Sequence, residues 1–226
     1  MPITTFLFDL DGTLMDTDAL HHAAFNTILA RWDRHIGVDD YKTHIMGHAN
    51  AAIFGYLFPG MPASEYLPLA DEKESLFRAQ LEKEVAPTPG IAALLDYIDR
   101  IGGRRAVVTN APRANAELML KASGLAARFD TLVIGDELAR GKPDPLPYLT
   151  ALQLLGARAE EAVAFEDSSS GVKAASAAGL YTFGMLTGLD EARLKAAGAQ
   201  AAIRDFNDRA LWDKVQDQGA DKGGAA

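Results

Sequence analysis

No cysteine occurs among the 226 residues, which excludes a disulfide framework and any thiolate-ligated zinc site. Positive charge is also scarce: 22 Lys and Arg stand against 31 Asp and Glu, a net charge of −9. That balance opposes a general affinity for nucleic acid or for an anionic membrane surface, so a metal ion or a small molecule is the expected partner. No apolar run approaches the roughly 20 residues of a membrane span. The opening Met1-Pro2-Ile3-Thr4-Thr5 has neither the basic stretch nor the long apolar core of a signal peptide, and the cytoplasm is the expected compartment. Internal repeats are absent. What remains is an ordinary globular composition, 48% hydrophobic and 23% charged, which rules out disordered, collagen-like and fibrous chains. The length suits one domain with a large insertion, or two small ones, and is compatible with a monomer, although the oligomeric state is not readable from the sequence.

The chain opens on Ile3–Phe8, a β-branched and aromatic run that stops at Asp9 and Gly12 and reads as a buried strand. Ala106–Val108, Thr131–Ile134 and Ala162–Phe165 repeat the pattern, and Leu180–Phe183 is a fifth candidate. Helical patterns at Ile91–Ile101, Ala114–Ser123, Pro147–Leu155 and Val172–Ala178 alternate with these strands. Such alternation predicts right-handed βαβ units, hence an α/β fold with a doubly wound parallel sheet. From Asp16 to about Val85 only helical periodicity is found: Leu20 to Arg31 space as one helix face, and Tyr66 to Leu81 as another. Phe58-Pro59-Gly60-Met61-Pro62 breaks the segment, and Ala86-Pro87-Thr88-Pro89-Gly90 closes it. The expected organisation is a core of 1–15 and 86–226, a helical cap of 16–85 that sets substrate specificity, and a frayed tail over 218–226.

In an open α/β sheet the ligand lies beyond the carboxyl ends of the strands. Asp9 and Asp11 follow the first strand in Asp9-Leu10-Asp11-Gly12-Thr13, and residues two apart in extended chain face the same side. Two carboxylates in one small space repel unless a cation or proton separates them. A plain Asp/Gly turn is the structural alternative for this segment. Thr109 and Asn110 follow the second strand, where a hydroxyl, an amide and a helix N-terminus form either an anion site or a simple cap. Lys142, in Gly141-Lys142-Pro143, is either a surface lysine or an ammonium given a direction by the following proline. Glu166 and Asp167 precede a helix at the same sheet edge, as dipole-facing residues or as a second acidic pair. Hard oxygen ligands without His or Cys select Mg²⁺.

Together these groups suit phosphoryl transfer. A carboxylate approaching a phosphate monoester needs Mg²⁺ and a fixed cation such as Lys142 to offset repulsion. Asp9 can then act as nucleophile, and Asp11 as the acid and base of the two steps.

Asp9–Thr17, Val107–Asn110, Gly141–Pro145 and Phe165–Gly171 resemble, in order and spacing, the four motifs of the haloacid dehalogenase superfamily. The likeness spans residues 3 to about 184 and is greatest to the branch of phosphoglycolate phosphatases and β-phosphoglucomutases. It implies a Rossmann-like core with an inserted helical cap, Asp9 as nucleophile, and Asp11 as acid/base and, through its carbonyl, metal ligand. It further implies Thr109, Asn110 and Lys142 on the phosphate, and Asp167 with Glu166 on Mg²⁺. The expected activity is hydrolysis of a small phosphorylated metabolite, phosphoglycolate or a sugar phosphate, through an aspartyl-phosphate. Sugar-phosphate mutation is an alternative within enzymes. It is disfavoured because Gly47-His48-Ala49-Asn50 stands where mutase-like members carry an arginine, and because residues 16–85 hold 11 acidic against 6 basic residues. His21, His48 and Asn50 are candidate cap contacts to substrate, although a structural role is the plainer reading of His21, His22 and His48. A phospho-accepting receiver module is the alternative of another class, but it needs only about 120 residues and leaves the helical insertion without a role.

Overall fold

The computed structural model describes residues 1–81 and 85–216. The expected frayed tail over 218–226 lies outside the described residues, as does 82–84 at the end of the expected cap. Six parallel strands, β1 (Thr5–Phe8), β2 (Arg104–Thr109), β3 (Leu132–Ile134), β4 (Ala162–Glu166), β5 (Tyr181–Met185) and β6 (Ala201–Ile203), form one sheet in the order β3-β2-β1-β4-β5-β6. Strand β1 is buried at every position, as both faces of a parallel sheet require. From β1 the chain first builds outward on one side through β2 and β3, then returns to the other side at β4. The crevice beyond the carboxyl ends of β1 and β4 is therefore the topological switch point where ligands bind in such sheets.

The core helices are α5 (Ile91–Arg100), α6 (Arg113–Ala122), α7 (Leu146–Leu155), α8 (Ser169–Ala177), α9 (Glu191–Ala197) and α10 (Arg209–Gln216). Helix α5 shows why the periodicity was legible: Ile91, Leu94, Leu95 and Ile98 form one buried stripe. The five expected strands are present with shifted ends. Strand β2 begins at Arg104 rather than Ala106 because its two arginines are half-exposed and bonded outward, Arg104 to the carbonyls of Leu155 and Gly156 and Arg105 to Asp99. Strand β6 was not expected, since three residues give period-2 alternation no room to show.

Between β1 and α5 the described residues hold α1 (Asp18–Leu29), α2 (Val38–His44), α3 (Asn50–Leu57) and α4 (Ala63–Leu81), and no strand. Helices α1 and α4 are the two read from periodicity; α2 and α3 span only 7 and 8 residues, too short to repeat a face. The ends of the insertion are stitched where they cross, with the Thr88 N–H donating to the Leu14 carbonyl at 2.8 Å and its hydroxyl to the Thr13 carbonyl at 2.6 Å. Residues of the insertion, among them Met46, Ile53 and Phe54, share a hydrophobic cluster with Val172, Leu189 and Leu194 of the core. No described helix is long and apolar enough to cross a membrane.

Directly beneath the carboxyl edge the registered residues Phe8, Phe165 and Phe183 stack across β1, β4 and β5, with ring centroids 4.9 and 5.3 Å apart. Phe129 and Phe206 meet Phe8 edge-on, and all three stacked rings are fully buried. Phe8→Ala should cost about 3–5 kcal/mol, the usual loss for emptying a buried aromatic site. A urea unfolding midpoint within error of the parent protein would show that this stack does not support the sheet.

Candidate active site

Each core motif stands at the end of a strand. Asp9 follows β1, Thr109 and Asn110 end β2, and Glu166 and Asp167 end β4. Lys142 comes from the loop before α7 and reaches the same point. Its Nζ donates to Asp9 Oδ1 at 2.6 Å, to Glu166 Oε1 at 2.5 Å and to the Val108 carbonyl at 2.7 Å. Asn110 fixes the backbone of that lysine. Its Oδ1 accepts from the Lys142 N–H at 3.0 Å, while Nδ2 donates to the carbonyls of Lys142 and Gly47, both at 3.1 Å. The Asn110 side chain is thereby engaged with main chain, so its own backbone is the part left to face an anion. The Thr109 hydroxyl accepts from the Ala111 N–H at 3.0 Å, a local cap at the helix entry.

Asp9, Glu166 and Asp167 each bring a carboxylate oxygen within 4.8 Å of the others, and all three are buried. Three carboxylates against one ammonium leave a charge that a divalent cation balances, and burial prevents water from doing so. Two further features fit a hard cation. Glu166 Oε1 also accepts from the Tyr148 hydroxyl, but Oε2 is buried without a partner among the described residues. Gly12, at φ +70, brings its backbone so close to Asp167 that a Cβ there would lie 2.0 Å from Oδ2. Burial pushes the Asp9 carboxyl well above its ordinary range despite Lys142, and burial together with Asp18, Asp9 and Glu166 does the same to Asp167.

Asp11 is turned the other way. Its Oδ1 accepts from the Thr17 hydroxyl at 2.5 Å and lies 3.0 Å from His21 Nε2. Lys73 Nζ is 2.7 Å from His21 Nδ1. An ammonium only donates, so Nδ1 accepts and the imidazole proton sits on Nε2, pointing at Asp11. Burial acts to raise the Asp11 pKa and is outweighed by His21, Thr17 and Lys73, which hold the carboxyl below its usual range. The His21 ring stacks on Phe77 at 3.8 Å, which fixes its plane.

The insertion closes the cleft. His21, His48 and Asn50 all line it, together with Lys73, Glu74 and Phe25. His21 lines the cleft and faces Asp11. Its neighbour His22 is structural, bonded to the Ile36 carbonyl and to Asn26 on another face of the helix. Gly47, at φ +74, packs so tightly that a Cβ would meet Ser168 Oγ at 2.2 Å. Sequence reading missed Lys73 and Glu74, which are 2% and 5% exposed. The signal was present: Ala70, Lys73, Glu74, Phe77 and Leu81 fall on one helical face, and two charges on a buried stripe need a reason.

The family model of the haloacid dehalogenase-like hydrolases matches residues 6–185. The chain belongs to that family. Its sequence is 32% identical over 205 residues to a phosphorylated carbohydrates phosphatase of Thermotoga maritima, covering 88% of this chain and 93% of the relative. It is 39% identical over 194 residues to the CbbY protein of Cereibacter sphaeroides, covering 79% and 82%. Among solved structures, a CbbY variant from Rhodobacter sphaeroides in complex with xylulose-(1,5)bisphosphate matches with a TM-score of 0.77 and 33% identity over 90% of this chain and 95% of that one. A β-phosphoglucomutase from Clostridium difficile shares the fold at a TM-score of 0.82 and 20% identity, over 96% and 98% of the two chains. The chain is accordingly an enzyme, a phosphoric monoester hydrolase of the haloacid dehalogenase-like kind, and not a receiver module.

Lys142→Met strips Asp9 and Glu166 of their common partner and removes what opposes the burial-driven rise of the Asp9 pKa. A carboxyl whose pKa is raised by folding binds more protons folded than unfolded, so stability falls as pH rises through the raised value. With metal chelated, the loss relative to the parent protein should be small near pH 5 and reach about 3–5 kcal/mol near pH 8. Urea unfolding at both pH values checks this; an equal loss at each would mean that the carboxylates are not left uncompensated.

Proposed function

We propose that the cleft hydrolyses small phosphate monoesters, phosphoglycolate or sugar phosphates, in two steps through an aspartyl-phosphate on Asp9, with Mg²⁺ as cofactor. The observation that carries this reading is the division of labour between two carboxylates only two residues apart: Asp9 is tied to Lys142, and Asp11 to Thr17 and His21. A nucleophile beside a fixed cation and a separate proton-transfer group are what such a reaction needs.

Asp9, Asp167 and the free oxygen of Glu166 are the groups that would hold Mg²⁺, with the Asp11 carbonyl as a further ligand; Mg²⁺ supplies charge neutralisation for the phosphoryl oxygens. Lys142, Thr109 and the main chain at Asn110 would hold those oxygens from the other side. Asp9 attacks phosphorus through the carboxylate oxygen not bonded to Lys142, the P–O bond to the substrate alcohol breaks, and the departing alkoxide takes a proton from Asp11. Water then attacks phosphorus, gives its proton to Asp11, and the Asp9–phosphorus bond breaks to release inorganic phosphate. Asp11 is held ionised in the closed cleft, which suits the second step. The dianionic phosphate arriving beside it raises its pKa, so substrate binding readies it for the first. Excluding water through the insertion until a substrate fills the cleft favours correct orientation over side reaction.

A mutase would need a cation for a second phosphate where Asn50 stands, and Asn50 donates instead to Glu74 at 2.9 Å. Hydrolysis is the better supported outcome.

Asp9→Asn should abolish phosphate release from p-nitrophenyl phosphate while the protein stays folded, and excess chelator should do the same to the parent enzyme. Asp11→Asn should lower turnover by about 10²–10⁴-fold, the range of general acid–base catalysis, while Mg²⁺ binding by calorimetry is retained. Turnover by Asp9→Asn, or full activity in chelator, would refute the mechanism.

A further inference from the structure

The end of the cleft away from Lys142 is built by the insertion, and its charges are arranged unlike those at the phosphate end. Glu74 is buried in α4 yet lines the cleft. Its Oε1 accepts from Asn50 Nδ2 at 2.9 Å and from Lys73 Nζ at 3.0 Å, and its Oε2 from Asn115 Nδ2 at 2.6 Å. A carboxylate has about four acceptor sites. Three are filled, and the remaining one is on Oε2.

Lys73 and Lys142 are the lysines or arginines among the described residues lining this cleft, and both are paired with carboxylates. Lys73 is held by Glu74 and abuts His21. Asp18, which accepts from the Tyr41 hydroxyl at 3.0 Å, adds a further carboxylate to the lining of the cleft. Arg78 lies behind that wall, donating to Asn115 Oδ1 at 2.8 Å, and is not among the residues lining the cleft. A second anionic group on a substrate would therefore meet a neutral Lys73–Glu74 pair in a water-poor space, losing its hydration with no unpaired cation to receive it. An alcohol hydroxyl in the same place could donate to Glu74 or accept from Asn50.

Resting on the phosphatase reading above, we infer that Glu74 determines leaving-group specificity: the cleft takes phosphate esters of neutral, hydroxyl-bearing alcohols, the sugar and polyol phosphates, and rejects esters that carry a second anion. Asn50 and Asn115 act through Glu74. They hold its carboxylate in place from the insertion and from α6 of the core, so the wall is complete only when the two parts are in contact.

The test is a comparison of kcat/KM, with Mg²⁺ present, for glucose 6-phosphate and glycerol 3-phosphate against phosphoglycolate and fructose 1,6-bisphosphate, with p-nitrophenyl phosphate as a measure of phosphatase chemistry alone. The parent enzyme should favour the first pair by about 10²-fold, the scale of desolvating an anion that finds no partner. Glu74→Gln, which keeps the shape and removes the charge, should shrink that ratio by about tenfold or more, chiefly by improving phosphoglycolate. Asn50→Lys, which sets a cation against Glu74, should shrink it in the same direction. Preference of the parent enzyme for phosphoglycolate or the bisphosphate overturns the inference, as does a ratio unmoved in both variants. Should neither variant fold, the parent panel decides alone. Failure to release phosphate from any of the five esters would instead strike at the phosphatase reading itself.

Discussion

The ammonium of Lys142 sits between two buried carboxylates that no water neutralises, and the arrangement of the catalytic edge follows from that constraint. Asp9 and Glu166 can lie this close together in the interior only because they share one ammonium. They can share it only because β1 and β4 are adjacent in the sheet although about 150 residues separate them in the chain, which is a property of the switch point. Asn110 clamps the lysine backbone and the Tyr148 hydroxyl donates to Glu166 Oε1, so both the ammonium's stem and one of its partners are held. Such a cluster adds little to stability in itself. Its value is that the nucleophile is held in a dry site, beside a cation and in a fixed direction, before any substrate arrives.

The core of this arrangement was legible in the sequence because its parts are local. Each of Asp9, Thr109, Asn110, Glu166 and Asp167 lies at the end of a run of apolar residues, and the parallel-sheet rule places all such ends on one edge. Lys142 was legible for a different reason, the proline after it. The insertion was legible as helices but not as chemistry. Lys73 and Glu74 lie more than 50 residues after the motif they serve, and a hydrophobic-face reading passes over the charges on that face. His21 and His22 show the same blindness at closer range: they are neighbours in sequence, but the turn of a helix sends one to Asp11 and the other to the Ile36 carbonyl. Overall charge was silent in another way. The acidic excess of residues 16–85 says nothing of where one lysine points, and that lysine is buried in the cleft, with its Nζ 4.4 Å from the centroid of the Phe25 ring.

The two ends of the cleft solve opposite electrostatic problems with the same kinds of residue. At the sheet edge three carboxylates and one lysine leave an excess of negative charge that calls for a cation, and the surroundings are backbone and a tight glycine that leave little room for anything else. At the insertion, Lys73 and Glu74 are adjacent in one helix and neutralise each other, so the wall is polar without inviting a counter-ion. Asp11 stands between the two, and its partners Thr17 and His21 belong to the first turn of the insertion rather than to the core. The proton-transfer group is therefore set by the same helices, α1 and α4, that wall the leaving-group end. Because His21 receives the Lys73 proton donor on one nitrogen, it has only its other N–H to give Asp11, and the ionisation of that carboxyl is linked through a single ring to the charge pair that faces the substrate. A change in that pair would alter what the cleft admits and how readily Asp11 holds its proton at once, so substrate choice and proton transfer are two readings of one buried network.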